Sequence, residues 1–199
     1  DSWYAGGTLV GLALNSTISN CAVAGYTIVD ETDLAASSGV GGAIGGLVGM
    51  TDRPLTGCTA ATKIQINNTH NGSTPIRVGG LVGSTTSTVE RCYTGGTIEI
   101  GSNVNTDQLY IGGIIGGVGM EQFSGKTIDA KVSNCYTYIE LPEKNEKIQE
   151  IRAIGGSGGN GSTVALEKTY FLNSAAKYLE DGTAAVPVTY RQLWGKEPI

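Results

Sequence analysis

Four cysteines are the residues of this chain whose type and spacing most suggest chemistry. Cysteines in a secreted chain commonly form disulfides, and cysteines together with histidines can hold zinc. Zinc is disfavoured here because the sequence has no Cys-x-x-Cys pair and His70 is its only histidine. The cysteines are Cys21, Cys58, Cys92 and Cys135. We therefore expect no bound metal or other cofactor, and the choice between disulfides and free thiols depends on how the fold arranges them.

Acidic residues offer a second possible chemistry, since paired carboxylates serve glycosidases and also bind calcium. The densest cluster is "DETD", in which Asp30 and Asp33 form a weak calcium candidate. No second cluster accompanies it, and a solvated acidic loop explains it better. His70 lies in the polar stretch "NNTHNGST", where we expect it to be solvated. Because no nucleophile, base and orienting group come together, we expect no enzyme.

Glycine-rich blocks such as "GGIIGGVG" could cradle a phosphate if they joined a strand to the N-terminus of a helix. A Gly-Lys-Thr triplet follows this block at 125–127, but position 120, where the P-loop pattern needs a glycine, is Met120, and no helical pattern follows any of the blocks. The sequence has 31 glycines, about twice the usual share. We expect these glycines to serve structure, by allowing positive φ at corners and close approach of backbones.

Charge and hydropathy exclude two classes of partner. The formal net charge of -5 argues against nucleic acid, whose binding needs a basic face. No apolar run approaches the roughly 20 residues of a membrane-spanning helix. A chain of 199 residues with 40% hydrophobic content can bury one core.

An internal repeat organises the chain. The block "GTLVG" at residue 7 returns as "GGLVG" at residues 45 and 79, as "GGIIG" at residue 112 and, decayed, as "GGSGG" at residue 155. A second block follows each one: "TISNCAV", "PLTGCTA", "TVERCYT", "KVSNCYT" and "ALEKTYF". The cysteines occupy one register of this second block, and Thr169 replaces cysteine in the last copy. A third block, "KIQI", "TIEI" or "YIEL", alternates apolar and polar residues, as a strand with one buried face does.

Three short strands in each copy predict an all-β fold: a right-handed parallel β-helix with about five coils and three parallel sheets. We expect coils to start near residues 7, 45, 79, 112 and 155 of a repeat domain at 1–171, followed by a capping segment at 172–199. A β-sandwich also uses many short strands and is the alternative, although it does not explain why one residue type returns at one register. Within "VGGLVG" the sequence leaves open which alternate residues point inward.

Stacking of the coils would place the four cysteines in an inward-facing ladder of small apolar side chains. Neighbouring Cα atoms would then lie within disulfide range. Side chains in register on parallel strands point the same way, however, and the dihedral angle of a disulfide is unfavourable in that arrangement. The sequence therefore predicts buried free thiols.

The pattern "VGGLVG…TVERCYTGGTIEI" resembles the GLUG repeat of bacterial surface proteins. That repeat occurs in adhesin-like proteins and in the non-catalytic regions of secreted IgA-specific metallopeptidases. The resemblance extends from Gly7 to about Phe171 and is weakest in the fifth copy. It implies a secreted or cell-surface β-helical module that acts in adhesion or as a stalk presenting neighbouring domains of a larger polypeptide. It implies no fixed ligand and supplies no catalytic residue.

One register of tyrosines is a candidate for binding. Tyr93 and Tyr136 each follow a cysteine, and Tyr170 takes the same place one copy on. If these side chains point outward they form a row on which a glycan could stack. We expect them to point inward and fill the core, because aromatic residues tend to be buried. A carbohydrate-binding or carbohydrate-cleaving β-helix is therefore the functional alternative to an adhesion module.

Loops between the strands are the other candidate surface, because function concentrates on loops held by a rigid scaffold. We expect contacts with a host protein or glycan from five variable stretches. These are Thr51–Leu55, Asn67–Thr74, Asn103–Leu109, Glu121–Lys131 and Glu143–Glu150.

The two ends of the array differ in sequence. The segment "VTYRQLW" predicts a short helix with Thr189 at its N-cap. We expect Leu193 and Trp194 to lie over the last coil, together with Tyr170 and Phe171. No comparable cap precedes the first glycine block, so we expect preceding coils or another domain there, and some self-association through an uncapped first coil.

Overall fold

The computed structural model describes residues 2–30, 40–68, 75–104, 108–119, 129–156, 162–179 and 184–196. Its strands form four sheets in which all the pairings are parallel, and each sheet takes one strand from successive turns of the chain. The protein is therefore a parallel β-helix, as the repeats predict. Four coils are complete, and the described part of the fifth contributes only a bridge from Gly155 to Ile115 to the second sheet.

Each complete coil contains four strands. Coil 1 has β1 (Ser2–Gly7), β2 (Val10–Ala13), β3 (Ile18–Ser19) and β4 (Ala22–Asp30). Coil 2 has β5 (Val40–Gly45), β6 (Val48–Thr51), β7 (Leu55–Thr56) and β8 (Thr59–Asn68). Coil 3 has β9 (Ile76–Gly79), β10 (Val82–Thr85), β11 (Thr88–Glu90) and β12 (Tyr93–Asn103). Coil 4 has β13 (Leu109–Gly112), β14 (Ile115–Val118), β15 (Asp129–Ser133) and β16 (Tyr136–Thr137).

Coil 5 has β17 (Ile148–Arg152) in the first sheet, β18 (Thr163–Glu167) in the third and β19 (Thr169–Leu172) in the fourth. A 3-10 helix (Asn173–Tyr178), β20 (Ala185–Val188) and α1 (Tyr190–Leu193) follow. The strands at the same place in successive coils form the first, second, third and fourth sheets, and β20 extends the fourth sheet beyond β19.

The glycine block is a corner between the first and second sheets rather than one strand. In coil 3, β9 ends at Gly79 and β10 begins at Val82, so Gly80 and Leu81 form the turn. The sequence predicted three sheets, and this corner is the reason that there are four. Val78, Leu81 and Val82 are all fully buried. Both sets of alternate residues therefore reach the core, because the chain changes direction between them.

Glycine is required at this corner for close approach of the coils. A Cβ atom on Gly80 would lie 2.1 Å from the carbonyl oxygen of Gly113 in the next coil. The same distance, 2.1 Å, separates a Cβ on Gly46 from the oxygen of Gly80, and a Cβ on Gly113 from the oxygen of Ala153. None of these three glycines has a positive φ. The expectation of positive φ at the glycine blocks is therefore wrong for their corners, whereas the expectation of close approach holds.

A second corner joins the third sheet to the fourth and sets the register of the cysteines. The residue before each cysteine is in the left-handed conformation, which asparagine and glycine adopt more readily than other residues. These residues are Asn20 (φ 54°), Gly57 (φ 65°), Arg91 (φ 51°) and Asn134 (φ 52°), and Lys168 (φ 46°) precedes Thr169 in the fifth copy. The block "TVERCY" is consequently not one strand, since β11 ends at Glu90 and β12 begins at Tyr93.

Aligned aliphatic side chains fill the interior of the stack. In the fourth sheet Ile64, Ile66 and Ile98 are at most 2% exposed. Gln65 and Glu99, which alternate with them, lie on the outer face and pair side chain to side chain. The period-two pattern of the third block is thus confirmed as a strand with one face in the core.

The C-terminal segment covers part of the last coil. The 3-10 helix buries Ala175 and Tyr178 against the main core. Phe171 is fully buried, as expected, whereas Tyr170 is only partly buried.

The short helix α1 has the predicted N-cap. The Thr189 hydroxyl accepts a hydrogen bond from the Gln192 N–H, and the Gln192 side chain accepts one from the Thr189 N–H. Trp194 is 71% exposed. The expectation that Trp194 covers the last coil is therefore wrong, because α1 turns its end toward solvent.

Two of the expected contact loops are shorter than the sequence suggested. Thr51 and Leu55 are fully buried strand residues, which leaves only the stretch between them at the surface. The stretch Glu143–Glu150 enters β17 at Ile148. Of the other three stretches, 67–74 and 121–131 fall largely outside the described residues, and 103–109 is described only at its two ends, where Val104 and Leu109 are buried. Within the described residues, no helix has the length and apolar character needed to cross a membrane.

Candidate functional site: the outer face of the fourth sheet

The predicted tyrosine register lies on the outer face of the fourth sheet. Tyr93 pairs with Tyr136, and Tyr136 pairs with Tyr170, in successive coils. Their immediate neighbours in the strands, Thr94 and Thr137, are buried and joined by a hydrogen bond of 2.6 Å inside the coil. Since successive side chains of a strand point to opposite faces, the tyrosines point away from the core. The expectation that they fill the core is wrong, and they form the row that the sequence offered as its alternative.

The first two tyrosines of the row are stacked. The ring centroids of Tyr93 and Tyr136 lie 4.9 Å apart and the ring planes differ by 3°. Each ring therefore covers one face of the other, and the stack presents ring edges along most of its length. Burial, with smaller contributions from the nearby Tyr93 and Tyr138, raises the pKa of the Tyr136 hydroxyl. The Tyr136 ring therefore stays neutral at physiological pH.

One ring face is left open toward coil 2. The residue in register with Tyr93 on that side is Thr59, whose side chain is much smaller than a tyrosine ring. The neighbouring outward positions on coils 1 and 2 are also small, namely Ala22, Ala24 and Ala61, and all three are exposed. The open face of Tyr93 thus borders a flat floor of small side chains, which we call the shelf.

A further tyrosine, Tyr138, extends the aromatic wall of the shelf. A Cβ atom on Gly95 would lie 2.1 Å from the ring of Tyr138, so the absence of a side chain at Gly95 makes room for that ring. The Tyr138 N–H donates to the Thr94 carbonyl at 2.9 Å, which places it in register on the fourth sheet. Tyr138 is not among the residues that the repeat pattern predicted for this row. Its position two residues after Tyr136 would have placed it on the same strand face.

Polar groups line the shelf on the side away from the tyrosine row. Lys63 Nζ lies 2.8 Å from Glu99 Oε1, and Gln65 donates to Glu99 at 3.0 Å. The Lys63 ammonium lowers the pKa of the Glu99 carboxyl below its ordinary value. Tyr26, in register with Lys63, is 69% exposed. The face therefore combines an open aromatic surface with hydrogen-bond donors and acceptors held in fixed positions.

The four cysteines lie at equivalent positions of successive coils and are free thiols. Three of them, Cys58, Cys92 and Cys135, are buried, and Cys21 in coil 1 is only partly buried. The Cys58 N–H donates to the sulfur of Cys92, and the Cys92 N–H donates to the sulfur of Cys135, each at 3.3 Å. The ladder therefore connects one coil to the next through sulfur acceptors.

The thiol of each ladder cysteine also donates a hydrogen bond across the corner that precedes it. The Cys92 thiol donates to the Glu90 carbonyl at 3.2 Å, across the left-handed residue Arg91. In the fifth copy the Thr169 hydroxyl donates to the Glu167 carbonyl at 3.1 Å in the same way. A hydroxyl can therefore replace the thiol, because what the corner requires is a short side chain with one donor.

Two thiols of the ladder, Cys58 and Cys92, are kept protonated by their surroundings. Desolvation raises the pKa of the Cys58 thiol. The hydrogen bond to Cys135, together with burial, raises the pKa of the Cys92 thiol. A thiol must ionise to act as a nucleophile or a metal ligand, so these two residues are structural.

Of the remaining candidates that the sequence offered, the structure describes only Asp30. Asp30 ends β4 with an exposed side chain, and Asp33 and His70 lie outside the described residues. In the described part of the chain, no group of three His, Cys, Asp or Glu side chains is placed to hold a metal ion. Comparisons of the chain with models of protein families and with characterised proteins found no match.

Proposed function

We propose that this chain is a non-enzymatic β-helical module of a secreted or cell-surface bacterial protein, and that it binds a host partner through the outer face of its fourth sheet. The observation that carries the proposal is the outward tyrosine row, Tyr93, Tyr136 and Tyr170, beside the shelf of small side chains. The resemblance of the repeats to the GLUG pattern supports an adhesion role. A rigid stack of coils would also hold neighbouring domains of a larger polypeptide away from the cell.

An adhesion assay with the isolated chain tests this proposal. Beads coated with the chain are expected to attach to host cell layers more than beads coated with an unrelated β-helix. The double variant Tyr93→Ala with Tyr136→Ala should lose this attachment. The matched control is Tyr190→Ala, which removes a tyrosine that is 51% exposed on α1, away from the sheet face. Equal attachment of wild-type and double-variant beads would show that the face is not the binding surface.

Carbohydrate binding is a second candidate, and the open ring face of Tyr93 favours it. The apolar face of a pyranose ring packs against an aromatic ring, and its hydroxyls need polar partners at the rim. The shelf supplies both, with Tyr93 and Tyr138 as the aromatic wall and Lys63, Gln65 and Glu99 as polar partners. Its flat floor suits an extended glycan chain rather than a single enclosed sugar.

A glycan array separates this candidate from protein-mediated adhesion. We expect wild-type chain to bind a subset of extended glycans, and Tyr93→Ala to lose that binding. Tyr170→Ala is the matched control within the same row, because Tyr170 lies two coils beyond Tyr93, on the side away from the shelf. Uniformly negative arrays, combined with retained adhesion to cells, would leave the adhesion proposal standing and eliminate the glycan.

A further inference from the structure

The row of outward tyrosine rings stops on the side of the β-helix, between two coils that are both described. Tyr93 on coil 3 is its first member, and Tyr136 and Tyr170 follow on coils 4 and 5. On the other side of Tyr93, the position in register on coil 2 carries Thr59. Because coil 2 is flanked by coils 1 and 3, this position stays on the outer face of the sheet whatever precedes coil 1.

The place over Thr59 has the dimensions of one further ring. Tyr93 covers one face of Tyr136, and the two ring centroids are 4.9 Å apart, close to the spacing of about 4.8 Å between neighbouring strands. The equivalent face of Tyr93 is therefore turned toward coil 2. Thr59 and its counterpart on coil 1, Ala22, are too short to fill that place.

The groups around this place suit a pyranose better than an aromatic side chain of a protein partner. A Cβ on Gly95 would lie 2.6 Å from the Tyr138 hydroxyl, so that hydroxyl lies over coil 3 beside Tyr93. The Thr59 hydroxyl is a second polar group at the same place. A pyranose stacks through its apolar face and offers hydroxyls round its edge. An aromatic side chain would cover the same groups with an apolar edge and leave them without partners.

The path open to the rest of a sugar chain runs along β8. Equatorial linkages leave a pyranose at its edge, so a chain cannot continue in the direction of the stacked rings. The next residues of β8 on the outer face after Thr59 are Ala61, which is small and exposed, and then Lys63. From Thr59 to Lys63 the strand spans about 13 Å. Tyr93 and the phenol end of Tyr138 form a continuous wall along the first part of this path.

The charges at the far end of the path favour an uncharged chain. In the segments 59–66 and 93–100, Lys63 and Glu99 are the only charged residues, and their side chains pair at 2.8 Å. Gln65 donates to the same carboxylate at 3.0 Å. An anionic sugar would have to displace Glu99 from Lys63, whereas hydroxyl groups can add hydrogen bonds without separating the pair.

We propose that the shelf holds a linear, uncharged glycan of equatorially linked pyranoses. One sugar ring stacks on Tyr93 over Thr59 as the next ring of the row, and the chain runs along β8 toward Lys63. This assignment rests on the carbohydrate candidate of the proposed function. Equatorial linkage is required because it keeps successive rings nearly in one plane, so that each ring can turn a face to the tyrosine wall.

Isothermal titration calorimetry with cellohexaose and chitohexaose tests the proposal. We expect wild-type chain to bind at least one of these uncharged, β-1,4-linked probes. Glucose should bind more weakly, because it reaches only the place over Thr59. Maltohexaose, whose linkages are axial at C1, and an anionic hyaluronan oligosaccharide should not bind.

Thr59→Tyr is the most informative variant, because it extends the row by a protein ring that takes the place of the sugar. The fold should accept it, since Tyr93 and Tyr136 occupy the equivalent positions of coils 3 and 4. Its affinity for the bound probe should fall at least about tenfold. The matched control is Val186→Tyr, which adds a ring at the other end of the same row, in register with Tyr170. This control should bind as the wild type does, and circular dichroism should show both variants folded.

Tyr93→Ala removes the stacking face without filling the site and should also lose binding. The proposal would be overturned if wild-type chain bound neither uncharged probe, if Thr59→Tyr bound as tightly as wild type, or if hyaluronan bound more tightly. The bead assay separates these results from failure of the adhesion role. Thr59→Tyr beads that attach to cells as wild-type beads do, with no sugar bound in calorimetry, would leave adhesion standing and remove the glycan site.

Discussion

Replacement of Gly80 by alanine tests the packing principle of the whole stack. The added Cβ would lie 2.1 Å from the Gly113 carbonyl oxygen, whereas an unstrained contact needs roughly 3.5 Å. Even a close contact at about 3 Å would require a local separation of the two coils by about 1 Å. The Gly80 N–H donates to the Gly112 carbonyl at 3.1 Å, and this separation would take it beyond hydrogen-bonding distance.

The expected cost combines overpacking with the loss of a buried hydrogen bond. We expect Gly80→Ala to lower the free energy of unfolding by about 3 kcal/mol. For a chain of this length, that corresponds to a melting temperature about 6–12 °C lower. Urea and thermal unfolding followed by circular dichroism would measure both.

The matched control is Gly6→Ala in coil 1. A Cβ on Gly6 meets nothing within 4 Å, so this variant should be as stable as the wild type or slightly more stable. Each kcal/mol of lost stability lowers the melting temperature of a chain of this length by roughly 2–4 °C. A difference below about 2 °C between the melting temperatures of Gly80→Ala and Gly6→Ala would therefore mean a cost under about 1 kcal/mol. That result would refute the close-approach argument.

Three further predictions concern single side chains. Cys92→Ala should lower the free energy of unfolding by about 1–3 kcal/mol, because the buried Cys58 N–H loses its sulfur acceptor. Cys92→Ser restores an acceptor and should regain most of that free energy in urea unfolding. If Cys92→Ser were as unstable as Cys92→Ala, the hydrogen-bond role of the sulfur would be contradicted. Arg91→Asn should raise the free energy of unfolding by about 1 kcal/mol, because Arg91 is exposed and has a φ of 51°, a left-handed conformation that asparagine adopts more readily. An unchanged urea midpoint would argue against backbone strain at Arg91. The Lys131 ammonium, 2.6 Å from Glu167, lowers the pKa of the Glu167 carboxyl below its ordinary value near 4.5. The stability that this pair contributes is therefore complete above that value and is lost as the pH falls through the lowered pKa of the folded state. Glu167→Gln should flatten the pH dependence of unfolding in that acidic range and leave it unchanged at neutral pH.

Local sequence was sufficient to predict the β-helix. The recurrence of one glycine block and one cysteine register meant that equivalent residues had to stack, because only stacking places them in equivalent surroundings. The alternation in "KIQI" correctly assigned Ile64 and Ile66 to the core and Gln65 to the surface. The Thr189 N-cap was likewise predictable, since it depends on contacts within four residues.

The number of sheets depended on features that strand patterning does not reveal. Gly80 turns the chain at an ordinary backbone conformation, and its requirement for glycine comes from the carbonyl of the next coil. Arg91 occupies a left-handed position that its residue type disfavours, so nothing local marked the corner before Cys92. The glycine corner is therefore imposed by contacts between coils, whereas the corner before the cysteines has a local signal in the three copies that carry Asn20, Gly57 or Asn134.

The direction of the tyrosines was decided by tertiary structure for a similar reason. The sequence determined that Tyr93 and Tyr136 share a register, and residue type alone favoured burial for both. The inward positions next to them are instead taken by Thr94 and Thr137, which are buried and whose hydroxyls form a hydrogen bond of 2.6 Å. Repeats in a sequence thus determine which residues stack, whereas only the packed coil decides which face of the strand points into the core.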